Sequence, residues 1–174
     1  APLWPLVGRE PQRFTVVVMA LTVALAVLAV FLAGRIAWEV SRRRLVAVAV
    51  AVLLLAFDDG FIAWSVFGLE SHLAIVCMLS ALWAWLIRPT KWPWWMGLSF
   101  AAAVMTRPDA GLWAIAFGAA HVSLLWSSRS RALYRVTWAE LGALALAFLL
   151  PLSLWTLGRY SYYGQLLPNT YYLK

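Results

Sequence analysis

The sequence predicts an all-α fold, a polytopic transmembrane helical bundle of about six spans, and three observations predict it. Hydrophobic residues make up 64% of the chain and charged residues only 12%, against about 25% charged in an ordinary soluble domain. The charges are confined to short clusters, leaving uncharged runs at 14–34, 71–87, 110–128 and 141–158, each near the ~20 residues that cross a hydrocarbon core of ~30 Å. Mean hydropathy is +0.82, which implies more apolar surface than a chain of 174 residues can bury against itself, so lipid must cover much of it.

Spans are expected near 14–34, 42–58, 71–88, 92–106, 109–127 and 137–157, followed by an extracytoplasmic loop at 158–174. The uncharged cores at 45–57 and 92–106 are short; they reach across only with snorkelling Arg or Trp ends or by tilting into a protein-lined cavity. Lys91-Trp92-Pro93 places a proline near a helix start, where its missing N–H costs nothing. Thr106-Arg107-Pro108-Asp109 ends one helix and begins the next, with Thr106 as the expected N-cap and Asp109 as its acidic partner. The first run ends in Gly34-Arg35 without a small-x-small cleavage pattern, so it reads as a span rather than a signal peptide. The chain opens on Ala1 and is expected to be processed or cut from something longer. Cys77, the single cysteine, lies inside an apolar run and reads as a buried structural thiol. Small residues at 101–103, 110–111 and 118–120 permit close helix packing. Most of the twelve tryptophans fall near span ends, as an interfacial belt requires.

Charge sets a direction. If the loop with Arg35, Arg42, Arg43 and Arg44 is cytoplasmic, that side also holds Arg88, Lys91, Arg129, Arg131 and Arg135, nine of the fourteen Lys and Arg residues. The other side holds Arg9, Arg13, Arg107, Arg159 and Lys174, and a nine-to-five split over short loops favours this orientation. The net charge of +7 is thereby explained without nucleic acid, because the cations lie between apolar runs rather than on one polar face. Glu10, Asp58, Asp59, Glu70 and Asp109 gather on the outer side, leaving Glu39 inside and Glu140 near the inner end of the last span.

Ionisable groups at membrane depth are costly and are usually kept because they line a cavity or do work. Asp58 and Asp59 precede Gly60; they read either as a helix end made polar at the interface or as a carboxylate that positions a hydroxyl or a divalent cation. Glu70 reads as a helix-start acid or as a ligand-facing carboxylate. Arg107 and Asp109 either pair across Pro108, or Arg107 presents its fork of N–H donors to a phosphate. His72 and His121 fall towards opposite sides, and no tight His/Cys/Asp cluster supports a zinc site. The stretch from Tyr162 to Lys174 is rich in tyrosine and suits a sugar-binding rim as well as an interfacial loop.

Gly68-Leu69-Glu70 at a helix mouth, Thr106-Arg107-Pro108-Asp109-Ala110-Gly111, and Tyr162-Tyr163-Gly164-Gln165-Leu166-Leu167-Pro168-Asn169-Thr170-Tyr171-Tyr172-Leu173-Lys174 form an ordered set. Together they resemble bacterial multi-spanning glycosyltransferases of the C-type superfamily, in particular the terminal arabinofuranosyltransferases of actinobacterial cell walls. The resemblance runs along essentially the whole chain. It implies an enzyme of the bacterial inner (plasma) membrane with an extracytoplasmic active face. Such an enzyme takes a sugar, arabinofuranose among the candidates, from a polyprenyl-phosphate donor and attaches it, with inversion, to a cell-envelope glycan or other acceptor. It also implies contacts with membrane lipids and none with nucleic acid. No cofactor follows from the residues themselves, and the resemblance admits a divalent cation.

On that resemblance Arg107, with Arg159 or Lys174, is expected to hold the donor phosphate, while Glu70, Asp109, Tyr163 and Asn169 contact sugar or acceptor. Asp58, Asp59 and Glu70 are the candidates for a catalytic carboxylate. The span and external loop that carry the principal aspartate in those enzymes have no counterpart ahead of Ala1-Pro2-Leu3-Trp4, nor does their C-terminal portion beyond Lys174. The chain therefore reads as the middle of a longer enzyme, inactive alone. His72, Asp109 and Gln165 depart from the residues more usual there. A transporter or flippase subunit and a non-catalytic scaffold are the other readings. Paired charges facing a path near the bilayer midplane would mark the first, and capped acids with no cavity the second.

Overall fold

The structure, a computed structural model, describes residues 11–58, 61, 69–87, 93–126 and 137–164. Every regular element among them is helical: α1 Pro11–Val40, α2 Leu45–Ala56, α3 Leu69–Ile87, α4 Pro93–Thr106, a 3₁₀ turn Pro108–Ala110, α5 Gly111–Trp126 and α6 Trp138–Tyr163. Phe14–Val40, Leu69–Leu86 and Trp138–Tyr163 are long and apolar enough to cross a membrane. The chain is an all-α, multi-span membrane protein. Leu45–Ala56 is apolar but has only 12 residues, about 18 Å of helix, so the expected span at 42–58 falls well short of a hydrocarbon core. The chain divides into two compact units, Ala1–Ile87 and Arg88–Lys174.

In the first unit α1 turns back into α2 through Ser41–Arg44. The Arg42 N–H donates to the Glu39 carbonyl at 3.4 Å and the Arg43 N–H to the Trp38 carbonyl at 2.8 Å, the pair of reversed bonds that closes a helix with a left-handed residue. Arg42 has φ 57° and Arg43 φ 69°, a region where a Cβ costs roughly 1 kcal/mol. The Ser41 hydroxyl accepts the Arg44 N–H at 3.2 Å and fixes the exit. Replacing Arg42 by glycine should therefore stabilise this hairpin by up to ~1 kcal/mol, read as a higher unfolding midpoint in detergent. Gly34 of α1 packs against Val48 and Val52 of α2, each 3.5 Å from where its Cβ would stand. The core between α1 and α3 is small and aliphatic: Ala29, Leu32 and Val76, flanked by Leu25, Phe61, Ile75 and Leu79. Much of the remaining surface of α1 and α2 is exposed valine, leucine and phenylalanine, as lipid contact requires.

In the second unit α4 packs on α6. At Gly97 a Cβ would collide with the Leu144 carbonyl oxygen and stand 2.8 Å from the Ala147 Cβ and 3.0 Å from the Phe148 nitrogen. Only glycine allows this approach of helix to backbone. Pro151 lies four residues beyond Ala147 inside α6, so the Ala147 carbonyl has no N–H at its usual position. α6 opens with a capping box: the Thr137 hydroxyl accepts the Glu140 N–H at 3.3 Å and the Thr137 N–H donates to Glu140 Oε2 at 2.8 Å. Glu140, expected near one end of the last span, is thus a helix-start group. α6 closes on Gly164 at φ 66°, whose N–H donates to the Tyr160 carbonyl at 2.8 Å. The helix runs six residues past the expected end at 157, so 158–163 is helix rather than loop. Polar tyrosines at an interface do not stop a helix; a left-handed glycine does.

Candidate functional site

Asp58 follows the end of α2, and its Oδ1 accepts the Phe61 N–H at 2.8 Å. That is the work of a capping carboxylate, three residues ahead of the amide it receives. Phe61 in turn sets its ring edge-on to His72, centroids 4.8 Å apart, so Asp58 is tied to the α1–α3 core. Asp58 and Glu70 are both exposed, whereas Ser71 and His72 beside them are buried. Cys77 is half-buried on α3 rather than fully enclosed. Asp59 lies outside the described residues.

The register of the helices fixes the depth of these groups. The α1–α2 hairpin is antiparallel, and the seating of Gly34 between Val48 and Val52 brings Asp58 level with about Ala26 of α1 at one helical rise per residue. Val76 packs against Ala29 and Leu32. If α3 ran opposite to α1, His72 would stand level with about residue 34, too far from Phe61 for their ring contact. α3 therefore runs parallel to α1, and Glu70 stands level with about Ala24. The uncharged stretch of α1 is 14–34, and both acids stand beside its middle.

In the second unit the Thr106 hydroxyl bonds back to the Ala103 carbonyl at 2.8 Å and the Ala102 carbonyl at 3.2 Å. It ends α4 and does not cap the next turn as expected. The N-cap of the 3₁₀ turn is Arg107, because Pro108 forces the residue before it into an extended conformation. Arg107 grips Asp109 with two parallel bonds, Nε to Oδ1 at 3.1 Å and an Nη to Oδ2 at 2.7 Å. The side chains are 38% and 58% exposed, so this pair adds at most about 1 kcal/mol to stability. Its consequence is positional: it holds a planar guanidinium at the α4–α5 turn.

Arg159 lies over the ring of Trp155, 4.6 Å from its centroid. The spacing of four residues on a helix puts them on one face, a pairing the sequence spacing alone allows. Tyr163, the last residue of α6, is exposed and sets its ring against Tyr162 at 4.7 Å. Asn169 and Lys174 lie outside the described residues. Phe100 and Phe117 meet at 5.1 Å, about equally far either side of the turn, so α4 and α5 are antiparallel. Glu140 at the start of α6 lies within electrostatic reach of His121 near the end of α5, which reverses the chain again and runs α6 alongside α4. From Gly97 to Arg107 is about 15 Å of rise, and the same rise from Leu146, beside the Gly97 contact, reaches Thr156. Arg107, Asp109, Trp155, Arg159 and Tyr163 therefore share one end of this unit.

Below that end, Phe100, Ile115, Gly118, Val122, Leu144 and Phe148 help line a predominantly apolar cleft of about 260 Å³. Among the described residues no three His, Cys, Asp or Glu side chains gather as a metal site would need. Comparison of the chain with protein-family models, with curated proteins and with solved structures finds no match.

Proposed function

We propose that this chain is part of a membrane glycosyltransferase that moves a sugar from a polyprenyl-phosphate donor to an acceptor on the extracytoplasmic face of a bacterial plasma membrane. The observation that carries the reading is the gathering of Arg107, Asp109, Arg159 and Tyr163 at one end of the second unit, above an apolar cleft. A phosphate with a hydrocarbon tail asks for cations at a membrane interface and an apolar track beneath them, and this end supplies both. Arg107 offers the fork and Arg159 the second charge, while Tyr163 presents a ring and hydroxyl to a sugar. In the inverting displacement the acceptor hydroxyl loses its proton to a carboxylate and the lipid phosphate departs with the bonding pair. The candidates for that base, Asp58, Asp59 and Glu70, are named from sequence and all belong to the first unit, and Asp59 lies outside the described residues.

The test is transfer of labelled sugar from a decaprenyl-phosphate donor by the protein with whatever sequence naturally flanks it. Arg107→Ala and Glu70→Ala should each depress transfer strongly, and full activity in both would overturn the reading. A second reading, a transporter or flippase subunit, is favoured by the depth of Asp58 and Glu70, since coupling groups of transporters sit near the bilayer midplane.

A further inference from the structure

We infer that Arg159, held over the ring of Trp155, is the first anchor for the phosphate of a membrane-borne ligand, and that Trp155 is the residue that positions it. This anchor rests on the reading of the second unit's end as a phosphate site, and orders the contacts made there. The two arginines at that end differ in what engages them. Asp109 takes Nε and one Nη of Arg107. Arg159 lies over the Trp155 ring at 4.6 Å and, among the described residues, makes no hydrogen bond or ion pair. A ring face attracts the charge without accepting conventional hydrogen bonds, so the guanidinium keeps its N–H donors for an oxyanion.

The face of α6 that carries Arg159 tells against a mere lipid-side anchor. Leu144, Phe148, Leu152, Trp155 and Arg159 follow one another at three- and four-residue steps, which is one side of a helix. Leu144 and Phe148 line the apolar cleft, so Trp155 and Arg159 continue the cleft wall. From Pro151 to Gly164 the half-buried residues are Pro151, Leu152, Trp155, Thr156 and Arg159, and the others are exposed. The cation therefore stands on the packed side, whereas a snorkelling arginine runs along the lipid side. Helical side chains lean towards the N-terminus, which brings the guanidinium back over Trp155 and away from the last carbonyls of the helix. Trp155 is about 9 Å of helix above Leu149 at the cleft. The 26 residues of α6 measure about 39 Å against a hydrocarbon core of ~30 Å, so its end reaches headgroup depth. Exposed Tyr160, Tyr162 and Tyr163 surround that end as interfacial rings do. A phosphate at headgroup level with its tail in the cleft meets Arg159 first, and Arg107 only after Asp109 yields.

Binding decides it, with the protein and its natural flanking sequence held in phosphatidylcholine nanodiscs. The probes are radiolabelled farnesyl phosphate, which has a prenyl tail and no sugar to transfer, and radiolabelled inorganic phosphate. Farnesyl phosphate should bind the tighter of the two. Arg159→Gln should weaken its binding about tenfold or more, as loss of a charge-assisted bond does, and by more than Arg107→Ala does. Trp155→Leu should weaken it about two- to fivefold, and Trp155→Phe less, because a phenyl face keeps part of the cation–π attraction. In an Arg159→Gln background Trp155→Leu should cost nothing further, which a merely structural tryptophan would not satisfy. Unchanged binding in Arg159→Gln, an equal loss from Trp155→Leu in both backgrounds, or inorganic phosphate bound as tightly as farnesyl phosphate would overturn the anchor. Binding lost in Arg107→Ala but kept in Arg159→Gln would overturn it too, yet leave the transfer reading standing. Failure of sugar transfer alone leaves the anchor in place.

Discussion

Gly97→Ala should destabilise the second unit by about 1–3 kcal/mol, and Gly97→Leu by more, because an added side chain meets backbone rather than a movable neighbour. The contacts are the Leu144 carbonyl oxygen, the Ala147 Cβ at 2.8 Å and the Phe148 nitrogen at 3.0 Å, so relief requires α4 and α6 to separate along their whole seam. Gly142→Ala on α6 is the matched control. Nothing stands within 4 Å of its Cβ position, and it gains the same helix propensity of up to ~1 kcal/mol that Gly97→Ala gains. The difference between the two alanine variants thus isolates the packing term. Thermal unfolding of the purified protein in detergent reads it directly: Gly97→Ala should melt several degrees below wild type and Gly142→Ala at or above it. Equal melting of the two variants would mean that α4 and α6 do not meet at Gly97.

That glycine shows where sequence reading stops. Uncharged runs and clustered charge placed the six α-helices of the described residues, three of them long and apolar enough to cross a membrane, because length and polarity are properties of a segment taken alone. Of the small residues at 101–103, 110–111 and 118–120, Ala101, Ala103 and Ala110 are buried as close packing requires, yet among the described glycines the tightest approach falls at Gly97, and Gly111 and Gly118 have nothing within 4 Å. Which small residue meets a neighbour depends on register between helices, which no single segment carries. The same holds for depth. Asp58 and Glu70 flank apolar runs and so read as interfacial, whereas their level along α1 depends on how a 12-residue α2 and α3 seat against a 30-residue α1. Thr106 was misread for a different reason: threonine caps a following helix or bonds back to the preceding turn, and the extended conformation that Pro108 imposes on Arg107 decides for the second. Arg159, Arg107 and Asp109 were singled out by residue type, and helix counting brings them to one end. The Asp58–Phe61 cap was open to reading from the three-residue spacing.

Arg107 and Asp109 make the functional proposal quantitative. In the structure Asp109 engages Nε and one Nη of Arg107, so a donor phosphate must compete with the carboxylate for the guanidinium. Removing the guanidinium removes the group that would neutralise the departing phosphate, and loss of such a donor typically costs ~100-fold or more in turnover. Arg107→Ala is therefore expected to lower transfer about 100-fold, and Arg107→Lys to recover only part of it, since an ammonium keeps the charge but not the planar fork. Asp109→Asn should separate two roles. If Asp109 only restrains Arg107, the neutral variant frees the fork and binds donor more tightly, lowering KM for donor at little change in kcat. If Asp109 contacts sugar or acceptor, as the resemblance implies, kcat falls instead while donor affinity holds. A stability readout runs beside the kinetics: the pair is more than a third exposed, so neither Arg107→Ala nor Asp109→Asn should shift unfolding by more than about 1 kcal/mol. A large shift in melting would mark the pair as structural and remove it from the transfer site.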